Sequence, residues 1–322
     1  MPTIKSLSVG NGDMFYIIHG GDNFTMIDCN LTAENSDEII EELKAVSKTK
    51  GMRRFICTHP DEDHFKGIEK LDAKLPINNF YCVKNKAQKD ELTDSFLHYC
   101  ALRDSDKAFY LEKGVKRKWL NDGDDERSSS GVQVLWPNTS NENFIDALRK
   151  CDAGESFNNV SCVLRYSVKG GASFMWLGDL ETEFMESIVD DIELTKTTVI
   201  FASHHGRVSG KIPDSWLEKL DPQIIVIGEA ASRHLHYYTG YNIITQNSAG
   251  HITMDCSGDK LDIYVTSDTY ERKYLENLEK NRFPGYIGSL EVETEYTRRR
   301  QKLSATPDLS GTVLPLCHIP NS

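Results

Sequence analysis

The stretch Phe55-Ile56-Cys57-Thr58-His59-Pro60-Asp61-Glu62-Asp63-His64 decides how this chain is read. Its apolar beginning reads as a buried strand, and its end spells His-x-Asp-x-Asp-His. A strand fixes where its last residue lies, and the turn after it can fold several donors back onto one point. Imidazole and carboxylate are ligands of hard and borderline cations. His59, Asp61, Asp63 and His64 are therefore candidate metal ligands.

Three further segments repeat the rule of an apolar strand followed by a ligand-type residue. Trp176-Leu177-Gly178-Asp179 sets a carboxylate just past a strand. Phe201-Ala202-Ser203-His204-His205-Gly206 sets paired imidazoles there. Ile227-Gly228 is followed by Arg233-His234-Leu235-His236. Each is weak alone, but four segments with one placement rule point to a shared site. A donor set of this size suits two divalent cations about 3.5–4 Å apart that ionise a water and clamp a phosphoryl or carbonyl oxygen. The carboxylates Asp61, Asp63 and Asp179 favour Mn²⁺ or Mg²⁺ more than an all-histidine site would, with Zn²⁺ as the alternative.

Composition bounds the partners. The chain has 322 residues, 39% of them hydrophobic, enough for one large core. Its 37 basic and 49 acidic residues give a net charge of −12, which excludes binding of long duplex DNA through bulk charge. No apolar run reaches the roughly 18 residues of a membrane span, and Met1-Pro2-Thr3-Ile4-Lys5 lacks the features of a signal peptide. A cytoplasmic protein without membrane contact is expected. The eight cysteines form no C-x-x-C pair, so neither disulfides nor a thiolate zinc site is expected.

The N-terminal region reads as strands Ile4–Val9, Met14–His19 and Phe24–Asp28, then a helix over Ala33–Lys48 with Ile39, Ile40, Leu43 and Val46 on one face. Residues 86–120 look like a helical insertion, Ala87–Leu102 and Lys107–Leu120, either a solvated helix pair or a substrate-selecting cap. Strands follow at Val132–Trp136, Val160–Val168, Ala172–Leu177, Thr198–Ala202 and Ile224–Ile227, with a helix over Glu181–Val189. Ile243–Thr245 and Ile252–Met254 read as a last strand pair. Residues 1–265 are expected to form the principal domain. Residues 266–322 are expected to be a partly irregular extension, with Arg298-Arg299-Arg300 and the polar stretch Ser304–Ser322 as a tail.

With these residues placed, the chain resembles the metallo-β-lactamase-fold hydrolases, and among them the nuclease-like domain of the ComEC competence proteins and its free-standing relatives. The resemblance rests on blocks in the same order. Ser8-Val9-Gly10-Asn11-Gly12-Asp13 is similar to D-V-G-Q-G-D, Met26-Ile27-Asp28 to the I-D strand end, and His59–His64 to H-x-D-x-D-H. Leu135-Trp136-Pro137, Asn158-Asn159-Val160-Ser161, Leu177-Gly178-Asp179, Ser203-His204-His205-Gly206 and Thr245–Ile252 complete the set. The resemblance implies an αββα sandwich with a dinuclear centre. It implies one metal on His59 and Asp61, the other on Asp63 and His64, Asp179 bridging and His234 as last ligand. His204 and His205 would contact metal or substrate phosphate. Asn158 or Asn159 stands where other branches carry a ligand histidine. Arg207 replaces the family's Ser and is a candidate phosphate partner.

The expected function is a metal-dependent hydrolase, in first place a phosphodiesterase or nuclease attacking with a metal-bound hydroxide, with Asp63, His204 and His205 as catalytic candidates. Its substrate would be a nucleic acid or nucleotide. A small-molecule ester, lactone or amide hydrolase is the second reading. A non-catalytic module that binds a protein through the insertion or the tail is the third.

Overall fold

A computed structural model of the chain describes residues 1–293. Arg298-Arg299-Arg300, the Ser304–Ser322 stretch and Cys317 lie outside the described residues. Two twisted sheets carry the fold. The larger runs in the spatial order Tyr286–Glu291, Lys260–Val265, Ile252–Ser257, Thr3–Ser6, Phe15–Ile18, Asn23–Ile27, Met52–Ile56, Phe80–Cys82, Ala108–Tyr110. Its neighbours pair antiparallel as far as Asn23–Ile27 and parallel from there on. The smaller sheet runs Ile243–Thr245, Ile224–Ile227, Val199–Phe201, Ser173–Trp176, Val163–Ser167, Val132–Trp136. Its first four strands are parallel and the remainder antiparallel.

The sheets face each other through aromatic side chains. The Phe15 ring lies 4.7 Å from Phe201 and 6.2 Å from Trp176, centroid to centroid. Helices Ser36–Ser47, Ile68–Lys74 and Asp94–Arg103 pack in series on the outside of the larger sheet, where Tyr99 meets Phe80 edge-on at 5.8 Å. Thr182–Ser187 and Asp214–Leu220 cover the smaller sheet. Phe184 packs on Trp136, and Trp216 Nε1 donates to the Met185 carbonyl at 2.8 Å. Helix, sheet, sheet, helix is the expected αββα order. It buries one apolar face of each sheet in a shared core.

Several elements depart from the sequence expectations. Lys107–Leu120 is not a helix. Ala108–Tyr110 pairs parallel to Phe80–Cys82, and turns follow. The exposed edge of Phe80–Cys82 needs partners for its backbone groups, and Phe109 and Tyr110 suit a strand, so edge pairing wins over helical spacing. Arg117 folds back over this strand, its guanidinium 3.5 Å from the centre of the Phe109 ring. Helical insertion is confined to Asp94–Arg103. Ile243–Thr245 and Ile252–Ser257 do not pair; they belong to different sheets. Beyond residue 265, Tyr286–Glu291 adds a strand to the larger sheet. Among the described residues, seven cysteines are free thiols and no helix is long and apolar enough to cross a membrane.

Candidate metal centre

Functional side chains collect where parallel strands end. Asp28 follows Asn23–Ile27, His59 stands three residues past the end of Met52–Ile56, Asp179 follows Ser173–Trp176, and His204 and His205 follow Val199–Phe201. The carboxyl ends of parallel strands are where open α/β sheets seat ligands. Asp28 takes a left-handed φ of 57°, a conformation Asp tolerates better than most residues. Its buried carboxylate accepts from the Thr58 amide and hydroxyl, each at 2.7 Å, and faces His64 Nδ1 at 2.8 Å. That contact ties two strand ends together and aims His64 Nε2 toward the centre.

Two glycines permit close approaches. At Gly12 a Cβ would lie 2.6 Å from the Asp63 carbonyl oxygen, so the N-terminal turn lies flat on the motif and Asp13 enters the site. Gly178 has φ +53°, and a Cβ there would meet Ser161 Oγ at 2.6 Å. The Ser161 hydroxyl accepts from the Asp179 amide and positions that residue. His204 and His205 have φ values of 51° and 55°, two consecutive left-handed side-chain-bearing residues. Such conformations cost about 1–3 kcal/mol each and cluster at functional sites.

Asp13, His64, Asp179 and His205, all buried, each present a donor atom within 4.8 Å of the others. His64 Nε2 lies 3.2 Å from Asp179 Oδ1. His205 Nε2 lies 3.2 Å from Asp63 Oδ2 and 3.5 Å from Asp179 Oδ2, while its Nδ1 lies 3.1 Å from Asp13 Oδ1. Thus each imidazole has a carboxylate on its outer nitrogen, Asp28 for His64 and Asp13 for His205, and turns the other nitrogen inward. Outer carboxylates of this kind orient metal-binding histidines. His59 Nε2 and His204 Nε2 approach Asp179 Oδ2 at 3.9 and 3.7 Å.

The donors fit a cation. His59 Nε2, His64 Nε2 and Asp179 Oδ1 are buried without a hydrogen-bond partner, although two of them approach to 3.2 Å. Donors bound tetrahedrally at 2.0–2.1 Å from a metal lie about 3.3 Å apart, close to the separations found here.

Electrostatics say the same. Burial works against charge on His64, yet Asp179 and Asp28 hold its pKa well above the ordinary value. Burial likewise opposes charge on His205, but Asp179 and Asp13 push it up to about 10. His59, buried and beside His64, is pushed down to about 3. Asp179 and Asp63 are held below the usual carboxylate range against the pull of burial, Asp179 by His64 and His205, Asp63 by its hydrogen bond to His205 and by His64. The carboxylates therefore demand positive charge at the centre. Protons supply it in the metal-free chain, and a divalent cation would displace them.

The remaining sequence candidates sit around this cluster. Asp61 Oδ1 accepts from the Glu62 amide at 2.8 Å and from Lys89 Nζ at 2.7 Å. Asn158 and Asn159 donate to the Glu181 carboxylate at 3.3 and 2.8 Å, and Asn159 Oδ1 accepts from the Glu181 amide. Arg207 Nη1 donates to His204 Nε2 at 3.2 Å, and its Nη2 donates to Asn11. His234 is not one of the four clustered residues. Its Nδ1 meets the Tyr237 hydroxyl at 2.9 Å and its Nε2 accepts from Arg233 Nε at 3.1 Å. Asp13 and Asp28 appear in the sequence only as strand-end and turn residues. A carboxylate straight after a strand or a glycine turn was the available signal.

Comparison with solved structures gives a likeness of the overall chain. The chain is similar to the solved structure of Igni18, a novel metallo hydrolase from the hyperthermophilic archaeon Ignicoccus hospitalis KIN4/I, at 13% identity and a TM-score of 0.43. The match covers 79% of this chain and 99% of that one. No family model matches the chain, and no curated protein does.

Proposed function

We propose that this chain is a metal-dependent hydrolase that cleaves phosphodiesters, in nucleic acids or nucleotides. The observation that carries this reading is the buried convergence of Asp13, His64, Asp179 and His205, with inward-facing nitrogens and an unpaired Asp179 oxygen. One cation would sit among these donors. A second, as the sequence pattern suggests, would draw on His59, Asp61 and the far oxygen of Asp179. Mixed nitrogen and oxygen donors suit Mn²⁺ or Zn²⁺. A cation bound there lowers the pKa of water and offsets charge developing on a phosphoryl oxygen.

The chain's own residues divide the rest of the work. Asp63 is ionised at neutral pH, and its side chain is 25% exposed where Asp179 is 2% exposed. Its carboxylate, beside His205, reaches solvent and would accept a proton from an attacking water. His204, at the rim, has its pKa lowered by burial despite Asp179, so it is neutral at pH 7. The Arg207 guanidinium beside it would pair with an anionic phosphate oxygen, which supports a phosphodiester over a neutral ester.

The test is a substrate panel on metal-loaded full-length chain: bis-aryl phosphates, cyclic nucleotides, single- and double-stranded nucleic acids, lactones and thioesters. Phosphodiester cleavage that falls about a hundredfold or more in Asp63→Ala supports the reading. Turnover of lactones or thioesters alone selects the small-molecule hydrolase, which the net charge of −12 favours.

A further inference from the structure

The His59–Asp61 side of the centre contains a cation supplied by the chain. Lys89, from the segment before the Asp94–Arg103 helix, turns inward with its side chain 14% exposed. Its Nζ lies 2.7 Å from Asp61 Oδ1 and 4.8, 5.4 and 5.7 Å from the ring centroids of Phe157, Phe65 and Phe96. Three aromatic faces and one carboxylate make a cage for an ammonium.

The segment that carries Lys89 is bolted to the metal-site motif. Thr93 Oγ1 donates to both carboxylate oxygens of Glu62, at 2.9 and 3.0 Å, and accepts from the Phe96 amide as the helix cap. Ser95 Oγ accepts from the Gly67 amide at 2.9 Å and donates to Glu69 at 2.8 Å. The segment just after Lys89 is thus anchored within the His59–His64 turn, at Glu62, and past it, at Gly67 and Glu69.

Like charges repel, and Asp61 is the carboxylate that a second cation on this side would need. The opposite side is different: Asp13, His64, Asp179 and His205 meet no lysine or arginine side chain in any of their hydrogen bonds or ion pairs among the described residues. We propose that the chain carries one resident divalent cation, held by His64, Asp179 and His205 with Asp13 behind the His205 ring, and that the Lys89 ammonium takes the place of a second cation beside Asp61. This rests on the metal-dependent reading. It makes the centre asymmetric, with one exchangeable charge and one built into the fold.

The experiment is metal content per chain. Full-length wild type, Lys89→Met and Lys89→Arg are titrated with Mn²⁺ and, separately, Zn²⁺ by equilibrium dialysis. Bound metal is read by elemental analysis and folding by thermal melting. Wild type and Lys89→Arg should saturate at one ion. Lys89→Met should gain a second, bound about tenfold or more tightly than any second ion in wild type. Two ions of similar affinity in wild type overturn the proposal while leaving the metal-dependent reading intact. A folded Lys89→Met that stays at one ion also overturns it. Wild type that binds no ion at all defeats both readings. If Lys89→Met does not fold, Lys89→Gln serves in its place, and the wild-type count decides by itself.

Discussion

Replacing Asp13 by Asn probes the residue that the fold, and not the local sequence, brings into the centre. Asp13 Oδ1 lies 3.1 Å from His205 Nδ1. Its charge helps to push the His205 pKa up to about 10, and it stands on the Nδ1 side of the ring while Nε2 faces Asp63 and Asp179. Asparagine is nearly isosteric and can still accept through its amide oxygen, so packing under Gly12 survives while the charge is lost. Removing an orienting carboxylate of this kind costs about 10- to 100-fold in metal affinity. That is about 1.4–2.7 kcal/mol. The assay is a Mn²⁺ or Zn²⁺ binding isotherm on full-length chain, paired with an NMR titration of the His205 ring in the metal-free form. Asp13→Asn should weaken binding within that range and bring the His205 pKa down. Affinity within about twofold of wild type, in a folded variant, would refute the role given to Asp13.

Other outcomes follow from the same geometry. Asp179→Asn removes the carboxylate that His59, His64, His204 and His205 all approach, so bound metal and hydrolysis should both be lost in elemental analysis and turnover. His234→Ala should leave the tightly bound cation in place, because both ring nitrogens already meet Tyr237 and Arg233; loss of that ion on dialysis would put His234 among the ligands. Protonated His205 stabilises the metal-free chain fully below its ordinary pKa of about 6.5, and this contribution disappears as pH rises through about 10. Urea midpoints of the metal-free chain should therefore fall over that window, while metal affinity rises as the competing proton leaves. Gly178→Ala forces a Cβ to 2.6 Å from Ser161 Oγ at a positive φ, and should cost about 2–4 kcal/mol in urea unfolding at unchanged m.

Much of the centre was legible because its parts lie next to strands. His59 and His64 are close together in sequence, and Asp179, His204 and His205 each follow an apolar run, so strand reading alone put them on one rim. Asp13 was visible only as part of a glycine turn. Its role depends on Gly12 pressing against the Asp63 carbonyl, a contact between segments that no local pattern records. Lys89 was hidden for a related reason. It stands in a charged, amphipathic stretch where lysines usually face solvent, and only packing against Phe65, Phe96 and Phe157 turns it inward. The Ala108–Tyr110 strand was misread as helix because edge pairing is a demand of the sheet, not of the segment. Ile243–Thr245 and Ile252–Ser257 look like hairpin partners in sequence, but the Gln246–Ala249 helix and Gly250 between them send the chain across to the other sheet.

The most direct measurement is anomalous diffraction from crystals of the full-length chain soaked with Mn²⁺ or Zn²⁺, collected on both sides of the metal's absorption edge. A strong peak about 2.0–2.2 Å from His64 Nε2, His205 Nε2 and an Asp179 oxygen is the result expected. Saturated crystals with no peak inside that cage, or with metal only on surface carboxylates, would contradict the claim that these buried donors hold a cation.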